Sequence, residues 1–181
     1  MKKTLILFLF LQVCAFGLYA QSSYVNLSNR VLISGIINHD TLIIENLNNK
    51  VLINGELGQL SVEYNNQDAR IVDHTPATLD DNERADITIQ FWNEYAWLDE
   101  RIKTTIPVEE FTDEINVAVG DEENLIPVDF KISKIRGIQD FSVMIQITGK
   151  FSGDALKEDF PDIKFEEDLQ FAIFLTVQVT N

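Results

Sequence analysis

Acidic side chains are the most numerous residues of this sequence that are able to take part in catalysis. The chain contains 29 Asp and Glu residues, and several stand in adjacent pairs or runs, namely Asp80/Asp81, Glu109/Glu110, Asp121/Glu122/Glu123 and Glu166/Glu167/Asp168. Hydrolysis of a glycosidic bond needs two carboxylates that face one groove about 5 to 10 Å apart. Adjacent residues of a strand point to opposite faces, so these runs do not supply such a pair by themselves. Solvated turns are the simpler interpretation.

Metal ligands and nucleophiles are scarce. The two histidines, His39 and His74, are far apart in the sequence, whereas a zinc or iron site commonly uses two or three nitrogen or sulfur ligands. The acidic turn at residues 121–124 lacks the ordered spacing and the central glycine of an EF-hand loop. No Gly-x-Ser-x-Gly element and no glycine-rich phosphate loop occurs. The sequence therefore predicts a protein that is not an enzyme and that has no metal and no cofactor.

The N-terminal segment has the pattern of a secretory signal peptide. A basic start at residues 1–3 precedes an uncharged apolar stretch, and Ala20 stands just before a polar switch. This predicts cleavage after Ala20 and a periplasmic or secreted domain at residues 21–181, with no membrane-spanning segment in the mature chain. Cys14, the single cysteine, lies within the signal. Processing as a lipoprotein at Cys14 is the alternative, although Val13 stands where that processing prefers a small residue.

The charge of the chain excludes some classes of partner. The formal net charge is -15, and removal of Lys2 and Lys3 with the signal changes it to -17. An anionic surface of this kind repels nucleic-acid phosphates and anionic lipid headgroups, and no cluster of Lys or Arg opposes it locally. We therefore expect no nucleic acid partner. Solubility is the simplest role of the acidity.

Two similar segments open the predicted domain. Residues 29–35 recur as residues 49–55, and each copy is followed by a second apolar run, at residues 42–45 and 60–63. Gly and Asn near the ends of the runs are typical of turns, so the pattern predicts two hairpins of paired strands. A short β-roll is the alternative, although a solenoid needs about three or more stacked copies.

Alternation of apolar and polar residues predicts strands through most of the remaining chain. The clearest case is near the C-terminus, where six apolar residues recur with period two: Leu169, Phe171, Ile173, Leu175, Val177 and Val179. Residues 69–86 break the pattern and predict a long loop or a single helical turn, and residues 93–100 either continue a strand or form a short helix. The fold class predicted is all-β, an antiparallel β-barrel or sandwich of about eight strands.

Four aromatic residues lie within a window of seven, namely Phe91, Trp92, Tyr95 and Trp97. Rings of this kind line sugar platforms in carbohydrate-binding sandwiches, and they also fill the cores of β domains. One hypothesis is therefore an exposed aromatic patch of Trp92, Tyr95 and Trp97. The other is that these rings belong to the core.

The second half of the chain resembles the YceI-like family. The similarity covers residues 102–181. It rests on the order of residues 106–111, an acidic turn, residues 128–132, residues 141–151 and the closing apolar strand at residues 165–179. The resemblance implies an exported bacterial protein with an antiparallel, lipocalin-like barrel that encloses an elongated apolar ligand such as a polyisoprenoid or fatty acid.

A hollow barrel would place alternating apolar residues around its ligand. On this hypothesis the lining residues are Phe130, Phe141, Val143, Ile145, Phe171, Ile173 and Leu175. We therefore expect a non-catalytic binding protein for a lipid or isoprenoid. The alternative is a structural or interaction module of the cell envelope that uses sheet edges or the aromatic patch against protein or glycan.

Overall fold

All the described strands belong to one antiparallel sheet. The computed structural model describes residues 23–37, 40–74, 88–103, 106–136, 141–156 and 168–180. In these ranges the strands are β1 (Ser23–Ile37), β2 (Asp40–Asn46), β3 (Lys50–Asn54), β4 (Gln59–Asn65), β5 (Arg70–His74), β6 (Thr88–Glu94), β7 (Val108–Val119), β8 (Glu122–Arg136), β9 (Phe141–Phe151) and β10 (Leu169–Thr180). The described part also has one short helix, α1 (Leu98–Lys103), and two 3₁₀ turns, Asn66–Asp68 and Gly153–Leu156. The all-β prediction is confirmed.

The sheet curls into a half-barrel around one hydrophobic core. The strands follow the order β3-β4-β6-β7-β8-β9-β10-β1-β2-β5, so most neighbours in space are also neighbours along the chain. β1 pairs with β10 over most of its length and with β2 over its second half. The eight strands from β3 round to β1 surround the core, and β2 and β5 extend the sheet beyond β1.

The alternation in the sequence decides which face of each strand is inside. In β10 the six apolar residues of the period-two pattern are all buried, whereas the residues between them are at most half-buried. β9 flanks β10 in continuous antiparallel register, and β1 does so on the other side from Ser28 to Ser34, after a bulge between Asn26 and Ser28. Inward residues of the three strands therefore meet row by row. Paired positions share a face, and therefore one apolar inner surface runs across the sheet.

Side chains join the first and last strands of the ring of eight, β3 and β1. Asn29 of β1 and Asn49, just before β3, bond to each other: the Asn49 backbone N–H and Nδ2 donate to Asn29 Oδ1 at 3.1 and 2.8 Å, and Asn29 Nδ2 donates to the Asn49 carbonyl at 3.2 Å. Asn46 adds a bond from Nδ2 to the Asn65 carbonyl at the end of β4, at 2.7 Å. The part of the sheet where β1 faces β3, which we call the seam, is therefore held by amide side chains.

The two predicted hairpins are confirmed. β1 pairs antiparallel with β2, and β3 pairs antiparallel with β4. In the second hairpin Asn54 Oδ1 accepts bonds from the backbone N–H groups of Glu56 and Leu57, at 3.1 and 3.2 Å. Gly58 ends this turn with a φ of 66°, and a Cβ there would collide with the Tyr95 carbonyl. A side chain is excluded at Gly58 by both constraints.

One expectation from the sequence needs correction. Residues 70–74, which we expected in a loop or helical turn, form strand β5, and β5 pairs with β2 at the far edge of the sheet. The segment is too short and too polar to show alternation by itself. Eight of the ten described strands form the ring around the core, in agreement with the expected barrel of about eight strands, and β2 and β5 lie outside this ring. Residues 75–87 and the predicted signal at residues 1–20 lie outside the described residues.

A buried carboxylate connects the β2–β5 extension to β1. Glu45 of β2 is almost fully buried and forms ion pairs with Arg30 of β1 and Arg70 of β5. The hydrogen bond from Arg70 is the main cause that lowers the pKa of Glu45 below its ordinary value, and the nearby Arg30 charge adds to this effect. A buried charge with two cationic partners stays ionised, so Glu45 fixes the three strands relative to one another.

Helix α1 covers one end of the core. It connects β6 to β7, and its apolar residues Leu98 and Ile102 are fully buried. The Tyr24 hydroxyl of β1 donates to Asp99 of the helix, and Lys103 Nζ pairs with the same carboxylate at 2.7 Å. Burial and the bond to Asp99 raise the pKa of Tyr24 far above its ordinary value. The helix is therefore attached to the seam side of the barrel through Tyr24.

Replacement of Asn29 by alanine tests the role of the seam. Asn29→Ala removes the partners of two donors and one acceptor of Asn49, which is itself buried, and we expect a loss of about 1–3 kcal/mol in the free energy of unfolding. Asn124→Ala, on an exposed position of β8, is the control and should change stability by less than about 0.5 kcal/mol. Urea denaturation of both variants measures the difference. Equal stability of Asn29→Ala and the unchanged protein would show that the hydrogen bonds between Asn29 and Asn49 do not stabilise the seam.

Candidate functional site

Six of the seven predicted lining residues lie together on the inner face of three neighbouring strands. They are Phe130 on β8, Val143 and Ile145 on β9, and Phe171, Ile173 and Leu175 on β10, and all are buried. The register places Phe130 in one row with Ile147 and Ile173, and Ile145 opposite Leu175. The backbone of Phe141 pairs with Val179, and the side chain of Phe141 lies outside the described part. Contact of these residues with a ligand stays a prediction.

Aromatic rings meet across the interior from opposite walls. Phe91 of β6 and Phe171 of β10 lie four strands apart in the sheet, yet their ring centroids are 4.7 Å apart. Phe151 is the next ring, at 6.2 Å from Phe171. Gly149 makes room for this arrangement, because a Cβ there would lie 2.8 Å from the Phe171 ring and 2.7 Å from Val128. At this level the interior is filled by side chains.

A second aromatic cluster lies between the interior and helix α1. The Phe130 ring stacks on Phe111 with centroids 5.2 Å apart, and it meets the edges of Tyr95 and Trp97 at the same distance. The guanidinium of Arg101 lies 3.9 Å from the centroid of the Phe111 ring and 5.6 Å from that of Trp97. A cation over aromatic faces is attracted by the ring quadrupoles, so Arg101 is held at the boundary of the interior.

Polar groups surround this cluster on its β7 side. Glu109 faces inward on β7, opposite Ile132 of β8, and forms an ion pair with Arg101. Its Oε2 atom is buried, and it has no hydrogen-bond partner in the described part of the protein. Trp97 Nε1 donates to Asp113 Oδ2 at 2.6 Å. The arrangement offers a cation and a free acceptor at the end of an apolar interior, which suits the polar end of an otherwise apolar molecule.

The sequence did not identify several residues of this region. The sequence did not predict an inward position for Phe111, because its neighbours on the same face of β7, Glu109 and Asp113, are charged. Phe91 was seen as an aromatic residue but not as the partner of Phe171, which lies 80 positions away in the sequence. The alternation of β7 could have located Phe111, since the burial of that strand alternates over its whole length. Nothing in the local sequence points to Arg101.

The three residues of the predicted aromatic patch do not share one face. Trp92 is on the outer face of β6 and is 38% exposed. Tyr95 is buried beyond the end of β6, where its hydroxyl donates to the Glu114 carbonyl at 2.8 Å, and burial raises its pKa far above the ordinary value. Trp97 is half-buried against Phe111 and Phe130. Of the three, Trp92 presents its ring to solvent most.

A groove of ≈ 740 Å³ lies on the outer face, on the other side of the same strands. It crosses β2, β1, β10, β9, β8 and β7, and outward residues such as Leu32, Ile43, Thr148, Lys150 and Ala172 form most of its lining. The inward residues Val128, Gly149 and Phe171 also contribute to the lining, so the groove and the interior share part of one wall. The volume is within the range of ligand pockets, about 300–1,000 Å³.

The remaining candidates for chemistry lie apart. Glu109 faces inward, and its neighbour Glu110 faces outward and pairs with Lys131 at 2.5 Å, as expected for adjacent residues of a strand. No group of three or more His, Cys, Asp or Glu residues in the described ranges is placed to hold a metal ion. His74 is in β5, and His39 lies outside the described residues. None of the helices within those ranges is long and apolar enough to span a membrane.

Replacement of Phe171 by alanine measures how tightly the interior is packed. Because Phe171 contacts rings on two sides, we expect Phe171→Ala to lower the free energy of unfolding by about 3–5 kcal/mol, the usual cost for a large buried aromatic residue. Phe174→Ala is a matched control on the same strand, since Phe174 points outward and is half-buried. It should cost clearly less. Chemical denaturation gives both values, and equal losses would contradict a filled interior at Phe171.

Comparisons with known proteins support the fold. No protein-family model matches this chain, and no curated protein matches it. Among solved structures, the chain is similar to a polyisoprenoid-binding domain from Saccharophagus degradans implicated in plant cell wall breakdown, with a TM-score of 0.60 and 8% sequence identity. The match covers 88% of this chain and 99% of that domain. The chain therefore shares the fold of that domain over most of its length, in agreement with the fold implied by the resemblance to YceI-like proteins.

Proposed function

We propose that this protein is an exported, non-catalytic binding protein that holds an elongated apolar molecule, a lipid or an isoprenoid, in the interior of its barrel. The observation that carries the proposal is the continuous apolar inner surface of β8, β9 and β10, which faces the interior over the full length of β10. Burial of apolar area supplies the affinity, at about 25 cal/mol for each Å² removed from water. A long hydrocarbon chain matches a surface of this shape.

The polar end of such a molecule has a place beside helix α1. Arg101 and Glu109 form an ion pair at that end, and the free Oε2 of Glu109 accepts a hydrogen bond from a hydroxyl. Few polar contacts are needed, because orientation rather than affinity depends on them. The fold shared with a polyisoprenoid-binding domain supports the proposal, because a polyisoprenoid is an elongated apolar molecule.

Entry of the ligand requires the interior to open. Phe91 and Phe171 are in contact, so a ligand that passes between them separates the two rings. The seam is the part of the wall best suited to this movement, because within the described residues the contact of β1 with β3 is made through side chains such as Asn29 and Asn49 rather than through a backbone ladder. Breaking two or three side-chain bonds costs less than breaking a ladder.

The location of the ligand is tested by a pair of variants on one strand. Ile173→Ala changes the interior, because Ile173 is fully buried and does not line the groove, whereas Ala172→Trp fills the outer groove. The affinity for the fluorescent probe N-phenylnaphthylamine, and its displacement by farnesol or a fatty acid, should change severalfold in Ile173→Ala and stay unchanged in Ala172→Trp. Loss of binding in Ala172→Trp alone would place the ligand in the groove. Native mass spectrometry of residues 21–181, with lipid extraction, identifies the ligand; no uptake of any lipid would refute the proposal.

Export is tested independently of binding. Expression of the full chain in a bacterial host should yield protein that starts at Gln21 in the periplasm or medium, because signal peptidase cuts after small residues such as Ala20. N-terminal sequencing identifies the first residue. Intact Met1 in the cytoplasmic fraction would contradict export, and a lipid-modified Cys14 at the N-terminus would replace secretion by membrane anchoring.

A further inference from the structure

A row of side chains crosses the outer face of the sheet and carries three exposed apolar groups. Leu52 of β3 pairs with Ser61 of β4, Ser61 with Trp92 of β6, Trp92 with Asn116 of β7, and Asn116 with Leu125 of β8. Consecutive partners face the same way, so all five point to solvent in one line. The row spans four spacings between strands, roughly 19 Å. We call it the outer band.

Three large apolar side chains of the outer band are exposed to solvent. Leu52 is 57% exposed, Leu125 is 54% exposed, and Trp92 between them is 38% exposed. Scattered apolar residues on a surface are ordinary, but here two leucines and a tryptophan share one row, with Trp92 two strands from each leucine. Ser61 and Asn116 are small or polar, so they leave the indole accessible from both sides. Tryptophan is among the residue types enriched at the energetic centres of protein interfaces.

Carboxylates border the outer band on both sides. Glu63 and Glu123 lie in the next row on one side, and Glu94 and Glu114 lie on the outer face beyond the other side. Lys50 is the single cation among the described residues of these flanking rows, and Glu63 neutralises it at 2.6 Å. The surroundings of the band are therefore anionic, like the chain as a whole with its formal net charge of -15.

We propose that the outer band is a docking surface for a basic amphipathic segment of another protein. The apolar face of the segment covers Trp92 and its two leucine neighbours, and its Lys or Arg side chains reach the bordering carboxylates. An amphipathic helix of about 13 residues has the length of the band at a rise of about 1.5 Å per residue. Charge selects this partner, because a second copy of this chain or an anionic glycan is repelled by the same carboxylates. The surface is separate from the barrel interior, so docking here does not depend on whether a ligand binds in the interior.

A synthetic peptide tests the proposal. The probe is a helix-forming peptide of leucine and lysine, about 13 residues long, with the leucines on one face, and the control peptide has the same composition in scrambled order. Fluorescence anisotropy with the labelled peptides measures the Kd on the folded chain of residues 21–181. We expect the amphipathic peptide to bind at least about tenfold more tightly than the scrambled one, because charge alone does not reproduce the apolar contact.

Three variants separate the contributions. Trp92→Ala should raise the Kd about tenfold, as for an interface residue at the centre of a patch. Met144→Ala is the matched control, since Met144 is 37% exposed on the outer face of β9, and it should leave the Kd unchanged. A double variant of Glu94→Gln and Glu114→Gln should weaken binding severalfold and reduce its dependence on salt. All these positions are on the surface, and thermal unfolding checks that each variant stays folded.

Other results would overturn the proposal. Equal affinity for the two peptides would show that only the overall charge attracts them. Binding of a neutral oligosaccharide that depends on Trp92, without preference for the amphipathic peptide, would make the band a glycan platform. Dimerisation in sedimentation experiments that Trp92→Ala abolishes would make it a contact between copies of this chain.

Discussion

The ring of eight strands shields its inner face from water only when its first and last strands, β3 and β1, meet, and the amide side chains of Asn29 and Asn49 make that junction. All the buried apolar residues of the eight strands depend on it, because an open sheet would expose one side of the core along β1 and β3. The similarity of residues 29–35 and 49–55 has a physical consequence here. Each copy begins with an asparagine, and the two asparagines bond to each other across the seam.

The same alternation of residues creates two surfaces of different character. Inward positions of β8, β9 and β10 are apolar and packed, and outward positions are mostly polar or charged. Two residues depart from this rule, and each belongs to one of the proposed sites. Glu109 is a charged residue that faces inward, and Trp92 is an aromatic residue that faces outward. A polar group inside needs a partner, and an apolar ring outside gains free energy when it is covered. Arg101 pairs with Glu109 but leaves its Oε2 without a hydrogen bond. On the two proposals, the polar end of the interior ligand meets this oxygen, and a partner segment covers Trp92.

Local pattern was sufficient to predict the fold class and the inner face of the longest strands. The six apolar residues of β10 and the hairpins of β1–β2 and β3–β4 follow from periods and turn residues within short windows. β5 was missed because five residues, two of them Asp73 and His74, do not establish a period. The pairing of β5 with β2 depends on tertiary contacts such as the bond between Arg70 and Glu45. Such contacts leave no local signal in the sequence.

The candidate sites illustrate the same limit. Trp92 and Trp97 are five positions apart, and the sequence treats them alike, yet β6 ends at Glu94 and the chain turns inward through Tyr95. Trp92 therefore keeps its outward direction, whereas Trp97 joins the cluster under helix α1. The meeting of Phe91 with Phe171 depends on how far the sheet curls, which no window of sequence contains.

The two proposed sites use different forces, and this separates them in function. Binding in the interior rests on apolar burial, which salt affects weakly, and its cost is the separation of packed rings such as Phe91 and Phe171. Binding at the outer band combines the Trp92 ring with exposed carboxylates, whose attraction for cations is screened over about 10 Å at an ionic strength of 0.1 M. Salt therefore distinguishes the two proposed sites: screening weakens attraction at the outer band and has little effect on apolar burial in the interior.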